Sequence, residues 1–521
     1  MTRKLLAALP LLVPMCLLGE QVQEISQYGI TWKFDKPYEA GRFVTGDWWV
    51  VGPVTITEVT PKPGPAGDAE PDAVTKSRYG ASALSSDRSM RHGSMILGED
   101  VANQPLGSKD PNPGASQGYD SRPGNYDARL SVAFPAKLEP GRSLISTVSS
   151  ETYAPDRKGE IQLSTPNILG ENGIFLTSKT SPLALRAAAV LTCLPEAPPS
   201  DAFRPPYGGK YTRLYRESEL QWDRLPKLAA PESTPDWAKM ERIFERPWLD
   251  HLNNWMIQYT LPGENQPAYG REFARLTSIG GIMLLLDEPR ERKRKLMIHY
   301  VQLGLDLHGL ARGGRQWFSD GGHWQGRKWP ILFASLMLDS VELRTFPAVD
   351  PARPVYGRFR LDASAAPTTT LFQEDIDTYY GRGGDGQKVL WQIGTHTGAK
   401  PPHEEKPRAE WTKAEQFVDA YKPNNASSWL GYGLAAQQMK AKAVWNHDAF
   451  FDFLDRWMSP EEAYDPPKWS PKGCTRSMDL FLEDMWRMHR PSVPAQPGGQ
   501  DNLKWVWTES QQGKWIPNPK E

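Results

Sequence analysis

Hydrophobic and polar positions change their period about midway along the chain. In the first part the period is two: Ile30, Trp32 and Phe34 alternate with Thr31, Lys33 and Asp35, and Val54 and Ile56 with Thr55 and Thr57, as in strands with one buried face. Trp48, Trp49, Val50 and Val51 form a short apolar run after Gly46 and Asp47, which predicts a meander with tight turns. Strand patterns return over 144–148 and 187–194. Residues 61–127 are instead dominated by Pro, Gly, Ser, Asp and Asn, a long irregular excursion. Its Arg91, His92, Tyr119, Arg122 and Tyr126 predict partial packing against another domain. A second Pro-rich passage covers 195–209.

Near Pro235 the period becomes helical. Residues 237–259 predict one helix, and Phe273, Leu276, Ile279, Met283 and Leu284 a second. Met297, Val301 and Leu305 mark a third, residues 331–343 a fourth, and further helical patterns cover 413–420, 429–444, 449–458 and 477–488. Helix pairs joined by polar, glycine-bearing loops suggest an (α/α) toroid or incomplete helical barrel, with an irregular helical domain as the alternative. No repeat of fixed period is visible. The expected class is α+β: a β-rich region with long loops over 21–234, the toroid or helical barrel over 235–490, and a tail over 491–521.

The first 20 residues read as a signal peptide, with Arg3 and Lys4 before an apolar run over 5–18 that ends near Gly19, Glu20 and Gln21. That run is short for a membrane span, and no other stretch approaches about 18 apolar residues. The expectation is a soluble protein, secreted or periplasmic, with no stable membrane insertion. Cys16 follows Val-Pro-Met, a poor lipoprotein signature; Cys193 and Cys474 either pair or stay as two thiols. No Cys or His spacing suits a metal, and no cofactor is called for. The 521 residues, 39% apolar, suffice for two or three cores. A net charge of -1 argues against nucleic acid as partner. The 20 Trp and 47 Pro are above ordinary usage, and with a mean hydropathy of -0.56 the indoles suggest carbohydrate contact, set against burial in the core. No pattern specifies an oligomeric state.

Candidate chemistry concentrates in R-G-G-R-Q-W-F-S-D-G-G-H-W-Q-G-R-K-W-P over 312–330. Glycines let the backbone approach a ligand; Trp317 and Trp324 offer faces to a sugar ring, His323 a titratable group and Arg327 a fixed cation. Arg327 and Lys328 could instead pair with Asp320 or close a helix. H-L-N-N-W over 251–255 places Asn253, Asn254 and Trp255 together, and a neutral amide can bind a substrate carboxylate without adding a proton acceptor. Tyr269 and Arg271 stand where the loop 263–269 enters a helix. In L-F-Q-E-D-I-D-T-Y-Y-G-R, Gln373, Glu374, Asp375 and Asp377 precede Tyr379, Tyr380 and Arg382, without the full EF-hand pattern for calcium. The stretch around His396 and the pair Asn424 and Asn425 are weaker additions; Asn425-Ala426-Ser427 also fits a glycosylation sequon.

These residue types suit β-elimination of a uronic-acid polysaccharide. The uronate carboxylate must first be offset by Arg or Asn, here Arg271, Arg327, Asn253 or Asn254. A Tyr or His can then remove the C5 proton and a Tyr protonate the departing O4, roles open to His323, Tyr269, Tyr379 and Tyr380; no metal is required. The N-N-W pair on one predicted helix and G-G-H-W-Q-G-R-K-W-P opening another resemble secreted (α/α)-toroid polysaccharide lyases of the alginate and glucuronan type, over about residues 235–490. That resemblance implies metal-independent elimination on a polyuronate or other acidic polysaccharide. Two departures stand out: Trp255 occupies the position where the Asn-His constellation of alginate-lyase toroids would place His, and the β-rich region precedes the helices. The base assignment therefore shifts to His323 or a Tyr. A toroid glycoside hydrolase would instead need two carboxyl groups flanking the bond, from Glu264, Glu272, Asp306, Asp320, Glu374, Asp375 and Asp377. A non-catalytic glycan-binding protein is the third reading.

Overall fold

Alternation in the first segment becomes pairing in the computed structural model. It describes residues 19–65, 91–98, 117–121, 126, 128–150, 184–209, 213–251, 260–267, 270–317, 319, 321–347, 370, 372–380, 389–391, 393, 403–462, 473–494 and 496, with the backbone of 503–507 and 513–517. The predicted signal segment and most of the excursion over 61–127 lie outside these residues. The strands are β1 (Glu20–Gln27), β2 (Ile30–Arg42), β3 (Trp48–Val51), β4 (Val54–Thr60), β5 (Gly64–Pro65), β6 (Arg91–His92), β7 (Ser94–Ile96), β8 (Ala136–Leu138), β9 (Arg142–Ser149) and β10 (Leu185–Leu194). Apart from the small β5–β6 pair they form one sheet in the order β7-β9-β10-β3-β2-β4-β8, with β1 on β2. Only the β3–β10 pair is parallel.

The sheet curls into a half-barrel. Trp32 on β2 reaches across the concave side to β9, where its indole N–H donates to Ser146 Oγ at 3.0 Å. Ala187, Ala189, Leu191 and Cys193 on β10 face this inner core with Ile30, Val54 and Leu144. The intervening Ala188 and Val190, with Ile145 of β9, join the core of the helical region. Burial on both faces explains why β10 reads as a continuous apolar run rather than an alternating one. Cys193 and Cys474 are both free thiols.

The helices are α1 (Trp237–Phe244), α2 (Gly270–Met283), α3 (Arg290–Arg312), α4 (Lys328–Met337), α5 (Gln373–Asp377), α6 (Lys413–Asp419), α7 (Lys422–Gln438), α8 (Lys442–Trp445), α9 (Asp448–Met458) and α10 (Leu480–His489). Hairpins β11 (Thr378–Tyr380) with β12 (Val389–Trp391) and β13 (Leu503–Trp507) with β14 (Gly513–Pro517) complete the described elements. The architecture is α+β, as the sequence predicts.

Helices α2, α7 and α10 run side by side in the same direction. Their contacts advance in step: Ser278 Oγ donates to Ser428 O at 2.7 Å and accepts from Tyr432 N at 3.2 Å, while Met478 N reaches Ser427 O and Gln438 Nε2 reaches His489 O at 2.8 Å. At Gly431 a Cβ would stand 2.6 Å from Leu482 and 2.7 Å from Ser278 Cβ, so the three helices meet where a side chain has no room. Helix α3 returns along α2, with Tyr300 donating to Thr277 O at 2.7 Å.

Several predicted boundaries move for local reasons. The helix expected over 237–259 stops at Phe244, because Pro247 has no amide for a helical bond, and residues 252–259 lie outside the description. The pattern over 331–343 corresponds to α4, which starts at Lys328 and ends before Asp339, whose φ is 45°. The pattern over 429–444 divides into α7 and α8 around Lys440, at φ 56°.

A buried ion cluster joins sheet to helices. Arg204 pairs with Asp47 of the β2–β3 turn at 2.8 Å and with Asp306 of α3 at 2.6 Å. All three are buried. Burial pushes the Asp306 carboxyl up from its ordinary range, and Arg204 opposes that shift.

Candidate functional site

Most polar residues of the glycine-rich loop turn inward and hold the loop in place. Asp250 is buried and receives Arg327 at 2.9 Å on Oδ1 and 3.1 Å on Oδ2. Its Oδ2 also accepts the Trp317 indole N–H at 2.7 Å, and its backbone carbonyl accepts from Arg315 at 3.1 Å. Arg327 lies over the Phe273 ring, 3.7 Å from its centroid. Its charge is thereby matched inside the protein, which makes it an anchor of the loop. Burial pushes the Arg315 guanidinium down to about 9, although Asp250 favours its charged form. Trp317 and Trp324 are fully buried; Trp317 stacks on Phe372 and Trp324 lies under Arg315. Their faces meet protein, contrary to the sugar-stacking role the sequence suggested.

Helices α5 and α7 grip the same loop from the other side. Residues 373 and 377 are four apart, so they share one face of α5. Gln373 accepts from Trp324 N at 2.9 Å and donates to Gly321 O at 2.7 Å and Asp377 Oδ2 at 3.0 Å. Asp377 also takes the Ser319 hydroxyl. Asn425 of α7 donates to Gly321 O at 3.1 Å and Asp377 Oδ2 at 3.3 Å, while its Oδ1 accepts from Gln325 at 2.9 Å. All these side chains are buried. Gln373 is thus a support of the site, placed behind it.

This scaffold leaves His323 on the rim, half-buried. The neighbouring Gly321 has φ 57°, and a Cβ there would lie 3.8 Å from His323 Nε2 and 3.6 Å from Tyr421 Cε1, so the two rings flank one glycine. Beside them Arg271, in the first turn of α2, donates to Asn424 Oδ1 in the first turn of α7. Arg271 is buried, with Glu272 at 3.3 Å balancing its charge; Asn424 and Tyr421 are half-buried. Gly270 lets α2 begin against the loop, since a Cβ would come within 2.0 Å of His323 O. The arrangement juxtaposes an imidazole, a phenol and a polarised amide at the parallel N-termini of α2 and α7, where the backbone favours negative charge.

Among the sequence candidates, the structure brings together His323, Arg271, Arg327, Trp317, Trp324 and Gln373. Asn253, Asn254, Trp255, Tyr269 and Arg382 lie outside the described residues, as do Asp320, His396 and the side chain of Tyr379. Tyr380 donates to Asp452 Oδ2 at 2.5 Å. Tyr421 was not singled out, because a lone Tyr before a Lys-Pro helix start carries no signal of what the fold sets beside it.

The described carboxylates proposed for a hydrolase are matched by protein partners, Asp377 among them in the loop latch. Glu264 faces Arg246, Glu272 faces Arg275 at 2.6 Å, Asp306 faces Arg204, and Asp375 faces Lys328 at 2.5 Å. Glu374 accepts from Gly326 N at 2.5 Å and from Tyr432 at 3.1 Å. Burial pushes its carboxyl up to about 7 against those donors. His403, Glu404 and Asp419 converge closely enough to hold a metal, yet the Lys422 ammonium sits 2.6 Å from Glu404, 3.0 Å from Asp419 and 3.3 Å from Glu462. That cation already fills the charge-balancing place. Burial alone would raise Glu404, but Lys422 and Arg456 hold it well below the usual carboxylate range. No helix among the described residues is long and apolar enough to cross a membrane.

No protein-family model, curated protein or solved structure matches the chain.

Proposed function

We propose that this chain is an exported polysaccharide lyase, secreted or periplasmic, that cleaves a uronic-acid polymer by β-elimination on a helical scaffold of the (α/α)-toroid kind. The observation that carries the reading is the rim where His323, Tyr421 and the Arg271–Asn424 pair meet. Elimination needs three things at one sugar: neutralisation of the carboxylate, a base for the C5 proton and an acid for O4. Asn424, polarised by Arg271 and in the first turn of α7, suits the carboxylate. His323 suits the base, and Tyr421 the proton donor. This assigns the acid to Tyr421 in place of Tyr269, Tyr379 or Tyr380, and the carboxylate role to Asn424 in place of Arg327. The parallel course of α2, α7 and α10 supports the toroid part, since inner helices of a ring run alike.

The test is to incubate the full chain with polyuronates and neutral glycans, following ultraviolet absorbance and new reducing ends together. Absorbance rising with one polyuronate, and lost in His323→Ala, is the expected result. Reducing ends without absorbance would replace elimination by hydrolysis, and binding without either would make the chain a glycan-binding protein.

A further inference from the structure

A cleft of about 130 Å³ opens on the opposite face of α5 from the His323 loop. Gln373 and Asp377 face the loop, whereas Asp375, two residues from each, faces the cleft. At its floor Asp375 bonds Lys328 at 2.5 Å and the Trp445 indole N–H at 2.9 Å. That pairing neutralises the lysine. Arg344, which lines the same cleft, is half-buried and has no ion-pair partner among the described residues, so the charged side chains described in the lining sum to one net positive charge. Phe346 and Val444, both half-buried, supply apolar wall. Thr370 is 3% exposed, and its hydroxyl has no hydrogen-bond partner among the described residues.

We propose that this cleft binds a small ring carboxylate, with the acid group on Arg344 and the ring face against Phe346 and Val444. The planar guanidinium matches a carboxylate in a two-bond pair. One net charge favours a monoanion over phosphate. The ligand chemistry fits either a free uronic acid or an aromatic acid. This site does not depend on the lyase reading, because it shares neither His323 nor Asn424.

The experiment is calorimetric titration of the full chain with glucuronate, benzoate, glucose and inorganic phosphate. One-to-one saturable binding of glucuronate or benzoate is expected, with glucose and phosphate much weaker, and whichever acid binds identifies the source. Arg344→Gln should weaken binding at least about tenfold, as loss of a charge-assisted pair does, and Arg344→Lys should recover part of it. His323→Ala should bind like the parent chain, which separates this site from the rim. No saturable binding of either acid, equal binding of glucose, or unchanged affinity in Arg344→Gln at an unchanged melting temperature would overturn the proposal.

Discussion

Replacing Gln373 by Leu tests the loop latch directly, because leucine fills a similar volume with no hydrogen-bonding group. In the parent chain that amide accepts from Trp324 N at 2.9 Å and donates to Gly321 O at 2.7 Å and Asp377 Oδ2 at 3.0 Å. Gly321 O and Asp377 Oδ2 keep their bonds from Asn425, so each is only partly deprived. Trp324 N–H is the group left orphaned in a fully buried setting. One orphaned donor costs about 1–3 kcal/mol and each of the other two lost bonds about 0.5–1.5 kcal/mol, which together give roughly 2–6 kcal/mol. Burial of leucine in place of a polar amide returns on the order of 1 kcal/mol. The expected net loss is about 1–5 kcal/mol, read from urea unfolding. Hydrogen exchange should locate it, with the Trp324 amide losing protection while amides of β9 and β10 keep theirs. In the lyase assay, turnover should fall more than apparent substrate affinity, since His323 remains present and is merely mispositioned. Parent-like stability together with a protected Trp324 amide would refute the reasoning.

Other expectations follow from the same contacts. His323→Ala and Tyr421→Phe should each lower turnover on a polyuronate by at least about a hundredfold, the range of general acid–base catalysis, at unchanged melting temperature; parent rates would remove them from the reaction. Arg204→Met strands two buried carboxylates and should cost about 3–5 kcal/mol. Asp306 is already pushed upward by burial and rises further without Arg204, so the deficit should be smallest in acid and grow as pH increases; urea unfolding at a series of pH values checks the sign. Glu374, raised from 4.5 to about 7, binds its proton more tightly folded than unfolded, so its contribution is fully present below pH 4.5 and declines up to about 7. Glu374→Gln should flatten that slope, and an unchanged pH profile would contradict it. Gly270→Ala should displace the His323 loop, detectable as lost protection at residues 321–324.

Much of the local structure was legible in the chain. Period-two alternation located β2 and β4, where one-sided burial imposes its period on the sequence, and helical spacing located α2, α3, α9 and α10. Boundaries shifted where a single residue overrode the pattern, as Pro247 did after α1 and as left-handed Asp339 and Lys440 did after α4 and α7. The residues of the glycine-rich loop read as ligand-facing in the sequence, whereas Arg327, Trp317 and Trp324 are buried against protein partners. Arg327, Trp317 and Trp324 carry the same side chains whether they meet a sugar or Asp250 and Phe273, and nothing in their spacing distinguishes the two.

The sequence by itself determined the elements, their α+β order and which stretch would hold the unusual chemistry, since those depend on local periodicity and backbone preference. Only the tertiary structure decided which polar groups are matched internally. Asp250, Gln373 and Asn425 reach the loop from segments far away in the chain, and burial makes their pairing compulsory. His323 is left at the rim because its neighbours are committed inward, and Tyr421 joins it because α7 packs parallel to α2.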